Sequence, residues 1–299
     1  MPPFTRPAWY PLATLAFTVA VAAAPVQDRS ALCGSGEQAP DVLRRQLEPV
    51  RETATLALVA LAESKEWGEA ACGLAGLTAL REPRAVPYLS AALRNPAWRD
   101  NAYQVARWAA TLAGAPDTDL GAAMLPVVEA LEDRAVWDAA GNDAIWLLGE
   151  IDHPRARDRL LVALDEARDD VAIDAVVHAL ARQGEARGRA RIARLGDAAA
   201  RAKSGNATPE QARRLGEVAF FQLALGPDSV DEGLATLGTI ALRDQQDAAA
   251  WAVQTLCARA ARRPSDREAI EAHRSRLIAG LDRIGVPWSS SRVPTACAQ

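Results

Sequence analysis

The chain has 299 residues, of which 49% are apolar and 24% charged, with a formal net charge of -4. This is the composition of a folded protein and excludes a disordered one. The mild acidic balance also excludes bulk nucleic-acid binding, which needs a large basic surface.

In chain order, the first element reads as an export signal. Arg6 precedes the apolar run LATLAFTVAV (residues 12–21), and three alanines lead to Pro25. A charged start, an apolar centre and a small-residue exit describe a cleaved signal peptide over 1–24. The competing readings are a buried first helix and a membrane anchor, but the run is too short for a bilayer core of about 30 Å. Removing residues 1–24 deletes Arg6 and leaves a charge of -5. The expected product is exported, periplasmic or extracellular, and does not span the membrane after cleavage.

Export changes how Cys33, Cys72, Cys257 and Cys297 read. An even count in an oxidising compartment suggests disulfides, and four cysteines allow about three connectivities. Separations of 39 and 40 residues favour Cys33–Cys72 and Cys257–Cys297. Loops of that size stabilise by roughly 3–4 kcal/mol. The alternative is four buried thiols acting as small hydrophobes. No CxxC occurs and the three histidines are scattered, which argues against a metal site.

Residues 25–65 form an N-terminal segment with one helix predicted at 41–63. From 66 to 285, helix-period apolar patterns come in pairs joined by polar turns, without strand alternation. GLTALREPRAVPYLSAAL, WLLGEIDHPRARDRLLVAL and FFQLALGPDSVDEGLATLGTIAL are three of them. The turn positions Pro83, Pro116, Pro154, Glu185, Pro227 and Pro264 lie 33, 38, 31, 42 and 37 residues apart. Such a period marks stacked helical repeats. Proline suits the first turn of a second helix, and Gly149, Gly184 and Gly226 are expected to let the preceding helix end left-handed. First helices are predicted at 66–81, 99–113, 138–151, 169–182, 209–224 and 245–262. Second helices are predicted at 84–94, 119–132, 155–167, 187–201, 229–243 and 266–284. A longer loop is expected at 202–209 and a tail at 286–299.

The segments GLTALREPRAVPYLSAAL and IWLLGEIDHPRARDRLLVAL resemble short HEAT-like repeats of the bilin-lyase type, most closely across 66–182. The resemblance implies an all-α fold, a right-handed α-solenoid of about six helix pairs. It also implies a scaffold for a protein partner rather than an enzyme, with second helices lining the concave side.

No catalytic, cofactor or metal residues are expected. Glu150, Asp152 and His153 read as a solvated turn between two helices, because turn chemistry varies from unit to unit. Ser35 and Ser204 lack the strand–turn–helix setting of a nucleophile. His178 reads as a partly buried core residue and His273 as exposed. Asn206, followed by Ala207-Thr208, is a glycosylation sequon only in a eukaryotic source. Two features point to a partner. Trp108 and Trp146 occupy equivalent positions, either as packing between repeats or as an aromatic contact surface. Between Arg182 and Arg214, nine basic residues face three acidic ones. There Arg187, Arg191 and Arg194 share a helix face suited to an acidic segment of a partner or an anionic envelope surface, or simply to solvent. The rival class is an exported enzyme built from scattered carboxylates such as Glu129, Glu132 and Asp165. A purely structural envelope component is the third reading.

Overall fold

The computed structural model describes residues 40–115, 120–201 and 208–286. The expected signal peptide, Cys33, Cys297, Ser35, Ser204, Asn206, Pro116 and the tail lie outside them. Among the described residues every regular element is helical and there is no strand. The helices are α1 (Pro40–Leu47), α2 (Arg51–Ala62), α3 (Trp67–Ala79), α4 (Ala85–Arg94), α5 (Ala102–Ala113) and α6 (Leu125–Ala130). Then come α7 (Arg134–Ala140), α8 (Asn142–Glu150), α9 (Pro154–Glu166), α10 (Asp170–Gln183) and α11 (Arg189–Arg201). The last four are α12 (Pro209–Leu225), α13 (Val230–Leu237), α14 (Leu242–Arg262) and α15 (Arg267–Ile284).

The helices start where short polar side chains can take up the free N–H groups of a first turn. Asp133 accepts from the N–H of Ala135 and Val136, and Asp169 accepts from that of Ala172. Thr208 and Gln211 bond reciprocally at the start of α12. Pro154 opens α9, and Glu185, in the slot that lacks a proline, accepts from the N–H of Arg187.

Several boundaries differ from expectation for local reasons. The helix predicted at 41–63 breaks into α1 and α2 around a 3-10 turn at Glu48–Val50, where Pro49 supplies no N–H. The first helix predicted at 138–151 is two helices, because Gly141 adopts φ +57° between α7 and α8. The second helix predicted at 229–243 ends at Leu237. Of the three glycines expected to end helices left-handed, only Gly184 does so, at φ +62°. Gly226 is extended, at φ -173°. Gly149 is a buried residue of α8, and a Cβ there would come 3.0 Å from Ala179 on α10. It serves close helix approach rather than chain reversal.

Each first helix packs on the next: α3 on α5, α5 on α8, α8 on α10, α10 on α12 and α12 on α14. A second row runs α4, α6, α9. One buried apolar core extends from Leu43 to Val286. The first-helix row also bends back on itself, because α14 touches α10 past the intervening α12. Residues more than a hundred positions apart thereby meet.

Candidate functional site

The sharp turn of the first-helix row gathers ionisable side chains in two places. At the C-terminal ends of α8, α10 and α14 lies a polar knot. Glu150 is only 12% exposed and pairs with both Arg182 and Arg262. Asp152 accepts from Arg157 at 2.9 Å and from Arg263 at 2.8 Å. The Gln183 amide nitrogen sits 2.9, 3.1 and 2.7 Å from the carbonyls of Leu148, Gly149 and Ile151. Arg259 donates to the carbonyl of Ala224 at 2.7 Å. These donors satisfy carbonyls that helix ends leave open, and cations there complement the negative ends of the helix dipoles. Burial, then repulsion among the neighbouring arginines, lowers Arg182, Arg259 and Arg262 to about 10.

This corrects the expectation for the Glu150–His153 segment. His153 is a turn residue as expected, its Nδ1 accepting from the N–H of Arg155 at 3.2 Å, and Asp152 is half exposed. Glu150 is not solvated, because α14 arrives from far along the chain and covers it.

The second gathering is a groove of about 560 Å3 between α8, α10, α12 and α14, within the range of ligand sites. First helices line it, where the resemblance implied second ones. Its aromatic wall centres on His178. The ring stacks on Phe220 at 4.2 Å and meets Trp251 edge-on at 4.7 Å, with Trp146 at 6.0 Å. His178 is therefore buried, at 9% exposure, yet it forms the groove's wall rather than inert core. Glu217 Oε2 lies 3.3 Å from His178 Nε2. Asp174, one turn before His178, is pushed up to about 6 by burial and then by the charge of Glu217. Arg213 bonds mainly to Asp170, at 2.7 Å, and stands 3.5 Å from Asp174. Among the described residues, no group of three or more His, Cys, Asp or Glu is placed to hold a metal ion, and no helix is long and apolar enough to cross a membrane.

The other predicted residues fall elsewhere. Trp108 stacks on Trp67 at 6.0 Å, with Trp98 at 5.5 Å from Trp67, so it fills volume between α3 and α5. The structure thus separates the two tryptophans that the sequence makes equivalent. Arg187 is held by Glu185 and Asp158, both at 2.8 Å, and Arg191 stands 3.8 Å from Asp165, while Arg194 is exposed. Glu129 and Glu132 both bind Arg155 on the surface. His273 is 3% exposed, not exposed as expected: Nε2 contacts the Leu223 carbonyl at 2.9 Å, and burial lowers its pKa to about 4. Cys72 and Cys257 are buried on α3 and α14, and neither is a free thiol.

Sequence reasoning missed Asp174, Glu217 and Phe220 as groove residues. A signal existed: Asp174/His178 on α10 and Arg213/Glu217/Phe220 on α12 recur at helical spacing on otherwise apolar faces. No protein-family model matches this chain, and no curated protein matches its sequence.

Proposed function

We propose that this chain is an exported, right-handed α-solenoid of about six HEAT-like helix pairs whose groove binds a protein partner. Disulfides Cys33–Cys72 and Cys257–Cys297 staple its two ends in the oxidising compartment. The observation that carries the reading is the groove itself. It is lined by a bent row of first helices, is aromatic on one wall, and leaves Trp251 46% exposed. A large exposed tryptophan in a concave site is the usual anchor of an interface. The arginines of α11 have a weaker claim, since Arg187 is already engaged by two carboxylates.

The test is site-specific. Benzoylphenylalanine at Val171, which lines the groove and is 61% exposed, expressed in the native host and irradiated, forms one discrete protein adduct. The same substitution at Val162, exposed on α9, does not. An absent adduct, or the same adducts from both positions, overturns the reading.

A second reading is favoured by one observation. A carboxylate raised to about 6 beside a second one is also how acid–base pairs in enzymes are arranged. That reading requires the purified protein to degrade an envelope polymer, and Glu217→Gln to abolish it. Its residues would be Asp174 and Glu217, since Glu129, Glu132 and Asp165 do not line the groove.

A further inference from the structure

The tryptophans of this protein indicate what the groove lacks. Two of them carry an arginine over the ring: Arg159 lies 3.7 Å from the Trp137 centroid, and Arg182 lies 4.9 Å from that of Trp146. In both cases a carboxylate also holds the guanidinium, Glu166 at 3.6 Å for Arg159 and Glu150 for Arg182. A flat cation on an aromatic face, with an acid at its edge, is a favourable arrangement when partly desolvated.

Trp251 stands in similar company. Glu217 and Asp174 line the same cavity, yet among the described residues no arginine or lysine lies over its ring. Asp174 Oδ1 is buried without a hydrogen-bond donor, and the buried Glu217 Oε2 has only the His178 Nε2 contact at 3.3 Å. Of the nearby cations, Arg213 turns toward Asp170 and the other oxygen of Asp174, and Arg214 pairs with Asp170. Buried acceptors left without donors are costly and rare. The charges lining the cavity are Asp174, Glu217, Asp244 and Asp247 against Arg213 and Arg243, a net of -2. Gly216, on the lining of the same cavity, has nothing within 4 Å of where a Cβ would stand.

We infer that the groove takes an arginine side chain of the partner polypeptide, stacked on Trp251 and donating to Glu217 Oε2 and Asp174 Oδ1. The inference rests on the partner-binding reading of the groove and names what the partner must present. Arginine fits better than lysine because its planar fork reaches two acceptors while its face lies on a ring. The cavity is larger than one side chain, which leaves room for flanking residues.

The test uses the peptide acetyl-Gly-Arg-Gly-amide, titrated into the mature protein and followed by calorimetry and by the Trp251 indole N–H resonance. The control peptide carries citrulline, which keeps the shape of arginine without its charge. Saturable binding of the arginine peptide is expected, at least tenfold tighter than the citrulline peptide. Glu217→Gln should weaken it at least tenfold. Gly216→Leu should do the same by filling the groove; it leaves every charge in place and improves helix propensity. Equal binding of the two peptides, no binding of the arginine peptide, or parent-like binding by both variants overturns the inference. An adduct at position 171 without arginine binding would sink this inference and leave the partner-binding reading standing. Arginine binding without an adduct would do the reverse.

Discussion

The polar knot and the groove are built on the same helices. On α10, Asp174 and His178 face the groove, while Arg182 and Gln183, a turn further on, belong to the knot. In the knot, most of the buried charge is answered: Glu150 has two arginines and Gln183 covers three carbonyls, although Arg259 Nε has no acceptor. In the groove, Asp174 Oδ1 has no donor and Glu217 Oε2 has only His178 Nε2, at 3.3 Å. Chemistry of the same kind therefore does different work. Charge that the chain satisfies internally fixes the geometry, and charge left unsatisfied in the groove is where, on our proposal, the partner's arginine docks.

The largest expected effect breaks the knot. Glu150→Gln leaves Arg182 and Arg262 buried without their counter-charge. Removing one partner of a buried pair costs about 3–5 kcal/mol, and urea denaturation at pH 7 should show a loss of that size. A loss under about 1 kcal/mol, the value of an exposed pair, would return Glu150 to the status of a surface turn.

Two buried groups then give opposite pH signatures. His273 has a folded pKa of about 4 against an ordinary value of 6.5. The unfolded chain takes up the proton first, so stability is full above pH 6.5 and falls as pH drops toward 4. The loss reaches about 3 kcal/mol at 1.36 kcal/mol per unit. His273→Gln keeps a donor for the Leu223 carbonyl and cannot be protonated, so its stability should decline less between pH 7 and 4. Equal declines would contradict this. Asp174 has the reverse sign, because its folded pKa is raised from 3.8 to about 6. Its charged form destabilises the protein as pH rises through that window, and the cost is complete above pH 6. Asp174→Asn should therefore gain about 1–2 kcal/mol at pH 8, after discounting for partial exposure. The gain should vanish near pH 4, where both forms are neutral. A gain independent of pH would point to packing instead.

The contrast also explains what could be read from the sequence. Helix pairs are local, set by apolar spacing, caps and turn prolines, so α9, α10 and α12 lie within two residues of expectation. The breaks at Pro49 and Gly141 were equally local, but lay hidden inside uninterrupted apolar patterns. The covering of Glu150 by Arg262 spans 112 residues and depends on how sharply the first-helix row bends. No local pattern encodes that bend. His273 is miscast for the same reason: its helix is charged, but the one position facing Leu223 is enclosed by α12. The site was half legible. Trp146 lines the groove, but its apparent twin Trp108 is indistinguishable from it in sequence without knowing that Trp67 and Trp98 stand beside the latter.

The environments of Trp251 and Trp108 set a smaller stability effect against the largest binding effect. Trp251 is 46% exposed and packs edge-on against His178, so Trp251→Ala forfeits only part of a tryptophan's burial and should cost about 1–2 kcal/mol. Trp108 is wedged beside Trp67 and packed against the core, and truncating such an aromatic costs about 3 kcal/mol or more. Yet the ranking for ligand should invert. Trp251→Ala removes the uncovered ring and should abolish detectable binding of the arginine peptide while the melting temperature falls less than in Trp108→Ala. Trp108→Ala, measured at a temperature where the variant is folded, should bind the peptide as the parent does, since Trp108 does not line the groove. If both variants lost binding in proportion to their lost stability, the groove would be merely a sensitive part of the fold. The division between answered and unanswered charge would then have no functional meaning.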